Sequence, residues 1–272
     1  MGSPPRPVSS MPRALTIAGS DSGGGAGIQA DLKVFMALGC HGMSAVTALT
    51  AQNTMGVTGI HEVPAEFVIA QIDAVTSDIG VDAAKTGMLA SAAIVSAVAK
   101  AVAANDIAPL VVDPVFVSKN RDRLLAEDAV AALKGELFPL AGVITPNLFE
   151  ASALVGDEIA TRAGMVDAAR ALHALGPGAV LVKGGHLEGP DAIDVLFDGD
   201  TVTEISSPRF DTKDTHGTGC ALAAAIAARL AHGDSLIDAV RAAKEFVSGA
   251  IEHSLRIGRG WGPVNPAWRL GG

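Results

Sequence analysis

The feature that most constrains this chain is the alternation of short apolar runs with longer stretches of helical spacing. Strand-like runs fall at Ala14–Ala18, Ser44–Thr50, Asp82–Thr86, Leu110–Asp113, Val143–Thr145 and Ala179–Val182. Between them lie helical patterns at Ala26–Leu38, Pro64–Ile79, Ser91–Ala104, Glu127–Leu137 and Met165–Leu175. A strand that is apolar on both faces must be covered on both. Runs such as Leu110-Val-Val therefore read as interior strands of a parallel sheet between layers of helices. After Gly184-Gly185 the pattern changes. Val195–Phe197, the Asp198-Gly199 pair and Thr201–Ile205 read as a β-hairpin. Two long Ala-rich helices, Gly217–Ala231 and Ser235–Leu255, close the chain. The expected fold is α/β: a three-layer α/β/α sandwich on a mostly parallel central sheet, with a small β-hairpin or flap.

No repeat and no linker-like shift divides the 272 residues, so 14–272 read as a single domain. The first thirteen residues, MGSPPRPVSSMPR, lack the apolar core of a signal peptide. They read as a disordered leader, an expression remnant, or an upstream start ahead of Met11. Acidic residues outnumber basic ones 29 to 20, for a net charge of −9, with no Lys/Arg-rich run. That balance argues against nucleic acid as a partner. Aromatics at 4% with no tyrosine leave no platform for stacking single strands. The most apolar stretches, Ser91–Ala104 and Cys220–Ala231, are broken by Lys100 and Arg229. Neither approaches the ~20 apolar residues of a membrane span, so no membrane partner is expected. Cys40 and Cys220 stand far apart without a CxxC or Cys/His cluster, which argues against structural zinc and a disulfide framework. The cytoplasm is the expected location.

In open α/β sheets, ligands sit at the carboxyl ends of strands, and there the polar and Gly-rich residues gather. Gly19-Ser-Asp-Ser-Gly-Gly-Gly-Ala-Gly27 follows the first strand. It reads either as a flexible turn or as a place where backbone N–H groups approach a ligand. Gly25-x-Gly27-x-x-Ala30 imitates a dinucleotide fingerprint, but the acidic residue expected at the end of the next strand is missing. The P-loop pattern GxxxxGK[ST] is absent. The second cluster, Thr215-His-Gly-Thr-Gly-Cys220, opens an Ala-rich helix. There Gly217, Thr218 and Gly219 present unpaired amides to an anion. Cys220 in the first turn is either a small packing residue or a thiol of lowered pKa, able to serve as base or nucleophile. His216 reads as a structural hydrogen-bond partner. Asn147 and Glu150, after Ile144-Thr-Pro, read as a capping box or as a pair reaching hydrated Mg²⁺. Asp113 and Lys183 end two apolar strands where phosphates and a metal would lie. Asp31 and Gln52 are hydrogen-bonding candidates beside the first glycine cluster.

Together these motifs resemble the hydroxymethylpyrimidine/phosphomethylpyrimidine kinase family of thiamine biosynthesis, within the ribokinase-like superfamily. The motifs are AGSDSGGGAGIQADLK, TALTAQNT, AAKTGML, VVDPV, ITPNLFEA, VLVKGGH and TKDTHGTGC, in that order, and the resemblance runs from about Ala14 to Pro266. It implies ATP-dependent phosphorylation of 4-amino-5-hydroxymethyl-2-methylpyrimidine, then of its monophosphate to the diphosphate. It further implies Mg²⁺, a cytoplasmic setting and a homodimer. Asp31 and Gln52 would hydrogen-bond the aminopyrimidine, with Gly19, Ala26 and Met88 completing the pocket. Asp113, Asn147 and Glu150 would organise Mg²⁺ and the phosphates, and Lys183 would contact ATP. Gly217, Thr218 and Gly219 would form the anion hole, with Cys220 as catalytic base, activated by the helix N-terminus and Lys183. The superfamily usually carries Asp at the Cys220 position. Cysteine narrows the match to pyrimidine kinases and the pyridoxal kinases that resemble them.

One segment departs from the family pattern. After Asp113-Pro-Val, where the family has Met and then Ser-Gly-Asp, this chain has Phe116-Val-Ser-Lys-Asn-Arg-Asp-Arg. The loop reads as a solvated segment, or as a lid whose Lys119, Arg121 and Arg123 bind a phosphorylated substrate. The nearest rival activity is a pyridoxal kinase of the same fold, with Gln52 and Met88 favouring the pyrimidine. A dinucleotide-dependent oxidoreductase lacks its acidic residue. A non-catalytic binder has no use for Asp113, Glu150, Lys183 and Cys220.

Overall fold

The computed structural model describes residues 11–116, 127–185, 187 and 189–270. Residues 1–10 of the expected leader and the segment with Lys119, Arg121 and Arg123 lie outside the described residues. The elements in chain order are β1 (Arg13–Asp21), α1 (Gly27–Ala37), β2 (His41–Asn53), β3 (Gly56–Glu62) and α2 (Ala65–Asp78). Next come β4 (Ala83–Thr86), α3 (Ala92–Ala104), β5 (Leu110–Val112), α4 (Glu127–Ala132) and β6 (Val143–Ile144). The chain continues through α5 (Leu148–Val155), α6 (Arg162–His173), β7 (Val180–Val182), β8 (Asp191–Phe197) and β9 (Val202–Pro208). It ends with α7 (Thr218–Ala231) and α8 (Leu236–Glu252).

The nine strands form one sheet in the order β3-β2-β1-β4-β5-β6-β7-β8-β9. Pairing is parallel from β2 through β7 and antiparallel at both margins. Strand residues alternate between two cores, as the period-2 geometry of a strand requires. Leu15, Ile17, Val112, Ile144 and Val182 face α2–α6, whereas Ala14, Val111, Val143 and Leu181 face α1, α7 and α8. Eight successive residues of α7, Ala221–Ala228, are buried. A helix apolar all round has to be an interior one, and its alanines let the sheet and its neighbouring helices approach it closely. This is the expected three-layer sandwich.

Three local differences have physical causes. The margin strand β3 escapes the periodicity argument because all its residues are exposed or half-buried, so no alternation marks it. The helix expected over 127–137 divides into α4, a π-turn at Leu133–Leu137 and a 3₁₀ turn at Phe138–Leu140, where Pro139 withholds an N–H. The start of the fold reaches back to Arg13, which already belongs to β1. Its backbone N–H donates to Asp82 Oδ2 at 2.8 Å, and its guanidinium bonds the same carboxylate. The expected hairpin is β8–β9, which continues the main sheet. Asp198 Oδ1 accepts from Thr201 N–H at 2.8 Å to close its turn.

Candidate active site

Every candidate residue lies at or near the carboxyl ends of the parallel strands or at the N-termini of the helices that follow them. Asp21, at the end of β1, organises the first glycine cluster. Its Oδ1 accepts from Gly23 N–H at 2.8 Å, and its Oδ2 accepts from Gly25 at 3.1 Å and Ala26 at 2.9 Å. His216 Nε2 stands 2.9 Å from the same Oδ2, confirming its place as a structural partner. Burial works against the Asp21 charge, but His216 and the loop amides outweigh it and hold the carboxyl below its ordinary value. The loop thereby meets the start of α7. Gly217 caps that helix with φ +81°, and a β-carbon there would collide with the Gly25 carbonyl oxygen. Two glycine-rich segments almost two hundred residues apart in sequence are thus in backbone contact.

The first two amides of α7 beyond Thr218 belong to Gly219 and Cys220 and have no acceptor within the helix. Thr218 itself departs from expectation. Its hydroxyl and its N–H both turn back to Thr215 O, at 2.8 and 3.3 Å, so it closes the turn. A β-carbon on Gly219 would stand 3.2 Å from Lys183 Nζ and 3.6 Å from Asp113 Oδ2. Lys183 Nζ donates to Asp113 Oδ1 at 2.8 Å, and Thr145 Oγ1 donates to the same oxygen at 3.1 Å. Burial alone would lower the Lys183 ammonium, but Asp113 and Glu150 outweigh it and raise it. Asn147 and Glu150 form a full capping box at the start of α5: Glu150 N–H donates to Asn147 Oδ1 at 2.9 Å, and Asn147 N–H to Glu150 Oε2 at 2.8 Å. Burial, reinforced by Asp113 and opposed by Lys183, pushes Glu150 up to about 7. Among the described residues, no group of three or more His, Cys, Asp or Glu side chains is gathered to hold a metal.

The residues expected around a ring lie at or just beyond the ends of β1, β2 and β4 and at the start of α1. Gly19 N–H donates to Met88 O at 3.1 Å, and a β-carbon on Gly19 would press on Met88 Cε at 2.5 Å. Gln52 N–H donates to Ser22 Oγ at 2.8 Å, and its Oε1 accepts from Thr50 at 3.1 Å. Ala26 is the N-cap residue of α1.

One expectation needs correction, the lowered Cys220 thiol. Asp31 is fully buried. Its Oδ2 accepts from Thr16 Oγ1 at 2.6 Å and from Lys85 Nζ at 2.9 Å, while its Oδ1 has no hydrogen-bond partner among the described residues. The thiol of Cys220 is not lowered. Burial pushes it up to about 11, and the cation that most opposes this is Lys85, not Lys183. Sequence reasoning passed over Lys85 and Asp21. The available signal was a charged residue inside a buried strand: Lys85 stands in the run Ala-Ala-Lys-Thr of β4 and is wholly buried. Burial would lower its ammonium, but Asp31 outweighs burial and raises it.

No helix among the described residues is long and apolar enough to cross a membrane. Residues 21–265 match the family profile of phosphomethylpyrimidine kinase. The hydroxymethylpyrimidine/phosphomethylpyrimidine kinase of Streptomyces coelicolor is 53% identical over 267 residues, covering 98% of either chain. The ADP complex of Bacillus subtilis pyridoxal kinase superposes with a TM-score of 0.90 at 42% identity, covering 97% of this chain and all of that one. The Staphylococcus aureus pyridoxal kinase complex with AMP-PCP and pyridoxal gives a TM-score of 0.89 at 35% identity, covering 96% and 95%. With the motifs now meeting at one edge of one sheet, the sequence match and the shared fold lead to one conclusion: the chain belongs to the phosphomethylpyrimidine kinase family.

Proposed function

We propose that residues 14–272 act as one kinase domain. It transfers the γ-phosphoryl group of ATP to the hydroxyl of 4-amino-5-hydroxymethyl-2-methylpyrimidine, then phosphorylates the monophosphate to the diphosphate. The observation that carries this reading is the placement of the α7 N-terminus. There Gly217 packs against Gly25 and Ala26 of the first glycine cluster, and Gly219 faces the Lys183–Asp113 pair. Phosphoryl transfer depends mainly on positioning and on neutralising charge. The amides of Gly219 and Cys220 and the Lys183 ammonium supply that neutralisation. The Gln52 amide offers a donor and an acceptor to an aminopyrimidine edge.

Asp113 and Glu150 suit Mg²⁺, which takes oxygen ligands and keeps several waters. The buried Glu150, pushed up to about 7 partly by Asp113, is a site whose charge a cation would relieve. Bound there, Mg²⁺ would neutralise phosphate charge. Burial pushes the Cys220 thiol up to about 11, which favours its protonated form before substrate binds.

The test is ADP release from Mg²⁺-ATP with hydroxymethylpyrimidine, its monophosphate or pyridoxal at matched concentrations. Turnover of both pyrimidines with pyridoxal much slower is expected. Faster turnover of pyridoxal would replace the substrate assignment while keeping the phosphate site. No ADP from any of the three would remove the kinase reading.

A further inference from the structure

A further buried ion pair lies next to the turn that follows Lys183. Asp194 of β8 is 3% exposed, and its Oδ2 is 2.7 Å from Nζ of the nearly buried Lys244 on α8. Buried ion pairs are weak stabilisers, because desolvation consumes most of their attraction and apolar residues of similar volume often do as well. Its stability contribution therefore gives little reason for a charge in the apolar run Ile193-Asp-Val-Leu-Phe197. The second carboxylate oxygen has a definite task. Asp194 Oδ1 accepts the backbone N–H of Gly184 at 2.9 Å.

Gly184 directly follows Lys183. The paired register of β7 and β8 ends at Val182–Val195, so the Gly184 amide has left the ladder. A β-carbon on Gly184 would collide with Ile193 O, so the turn lies tight against β8. On its other side the same turn is held by Lys183 N–H donating to Pro146 O at 2.8 Å. The two peptides that flank the Lys183 Cα are thus each held, the preceding one by Pro146 and the following one by Asp194, whose carboxylate Lys244 also engages. From this backbone the Lys183 side chain reaches Asp113.

We propose that Asp194, oriented by Lys244, is a positioning residue for the transferring phosphoryl group: it fixes the turn that aims Lys183. This rests on the reading of Lys183 as a phosphate contact. It predicts an effect on ATP and none on the ring.

Two double variants of the full chain separate the acceptor from the charges. Asp194→Asn with Lys244→Met removes both charges but keeps an oxygen for Gly184. Asp194→Val with Lys244→Met removes the charges and the acceptor. Steady-state ADP formation is measured with ATP varied and then with the pyrimidine varied. The valine double should lose about 10- to 100-fold in kcat/KM for ATP, the scale of a misplaced catalytic group. Its pyrimidine KM should stay near that of the parent, and the asparagine double should restore kcat/KM for ATP. Equal values for the two doubles would overturn the proposal. Lys183→Ala is the control: if it leaves kcat/KM for ATP unchanged, the phosphate role of Lys183 falls, and this inference with it. If Lys183→Ala is impaired and the doubles are equal, only this inference falls. Should the valine double not fold, hydrogen exchange of the Gly184 amide in the parent protein decides. Protection comparable to the β7 amides is expected, and exchange as fast as an exposed loop amide overturns the proposal.

Discussion

The buried pair of Asp31 and Lys85 gives the sharpest test of the electrostatic argument. Both side chains are 0% exposed, with Nζ and Oδ2 2.9 Å apart. Lys85→Met leaves Asp31 buried with the Thr16 hydroxyl as its one remaining donor among the described residues. Removing one partner of a buried pair costs about 3–5 kcal/mol. At ~2–4 °C per kcal/mol for a chain of this size, Tm should fall by about 6–20 °C. Adding Asp31→Asn removes the stranded charge while keeping an acceptor for Thr16. The double variant should therefore recover about 2 kcal/mol, a coupling typical of residues in one network. The assay is urea unfolding at pH 7 with the m-value checked in each variant, alongside thermal melts. A loss under about 1 kcal/mol for Lys85→Met, or strictly additive singles, would refute the reasoning. A second readout follows from Cys220. Lys85 is the cation that most opposes the rise of that thiol, so Lys85→Met should slow its alkylation at pH 9, measured in a Cys40→Ala background.

Lys183→Ala should reduce kcat by about 10²–10³-fold, the scale of losing one charge-stabilising donor. Cys220→Ser should lose less than about 10²-fold, because burial favours the protonated form of the parent thiol; steady-state ADP assays decide the ranking, and the reverse order would support a base role. Gly217→Ala should cost at least the ~1–2 kcal/mol of a left-handed non-glycine residue and reduce turnover, because its β-carbon has to displace Gly25 from the loop; unchanged melting and kcat would contradict the contact. The lowered Asp21 carboxyl stabilises the fold above its ordinary unfolded value near 3.9, and that contribution is lost as pH falls through the lower folded value. The Tm gap between the parent and Asp21→Asn should therefore be widest near neutral pH and begin to narrow below about pH 4; a gap as wide at pH 3 as at pH 7 would refute it.

Most of the layering was readable from the chain because it follows from local rules. Strands apolar on both faces demand a covered parallel sheet, and Leu110-Val-Val or Ala179-Val-Leu-Val could be nothing else without exposing both faces. The Asn147–Glu150 box is equally local, three residues apart, and the structure forms it as read. The order of glycine clusters and strand-end charges also marked the edge of the sheet where the site would lie.

What no local pattern contains is which of those residues meet, and how deeply they are buried. Asp31 and Gln52 look alike as polar candidates beside one loop, yet only the packing of α1 against β1 and β4 buries Asp31 on Lys85. The helix N-terminus alone argues for a lowered Cys220 thiol; desolvation, a property of the packed environment, reverses the sign. Gly184 and Asp194, like Gly25 and Gly217, become neighbours only through the order and register of the strands. Periodicity along the chain reports which face of each element is apolar, so it determined the layers. Electrostatics depends on distances across the fold and on exclusion of water, so the charges of the site were decided by tertiary structure alone.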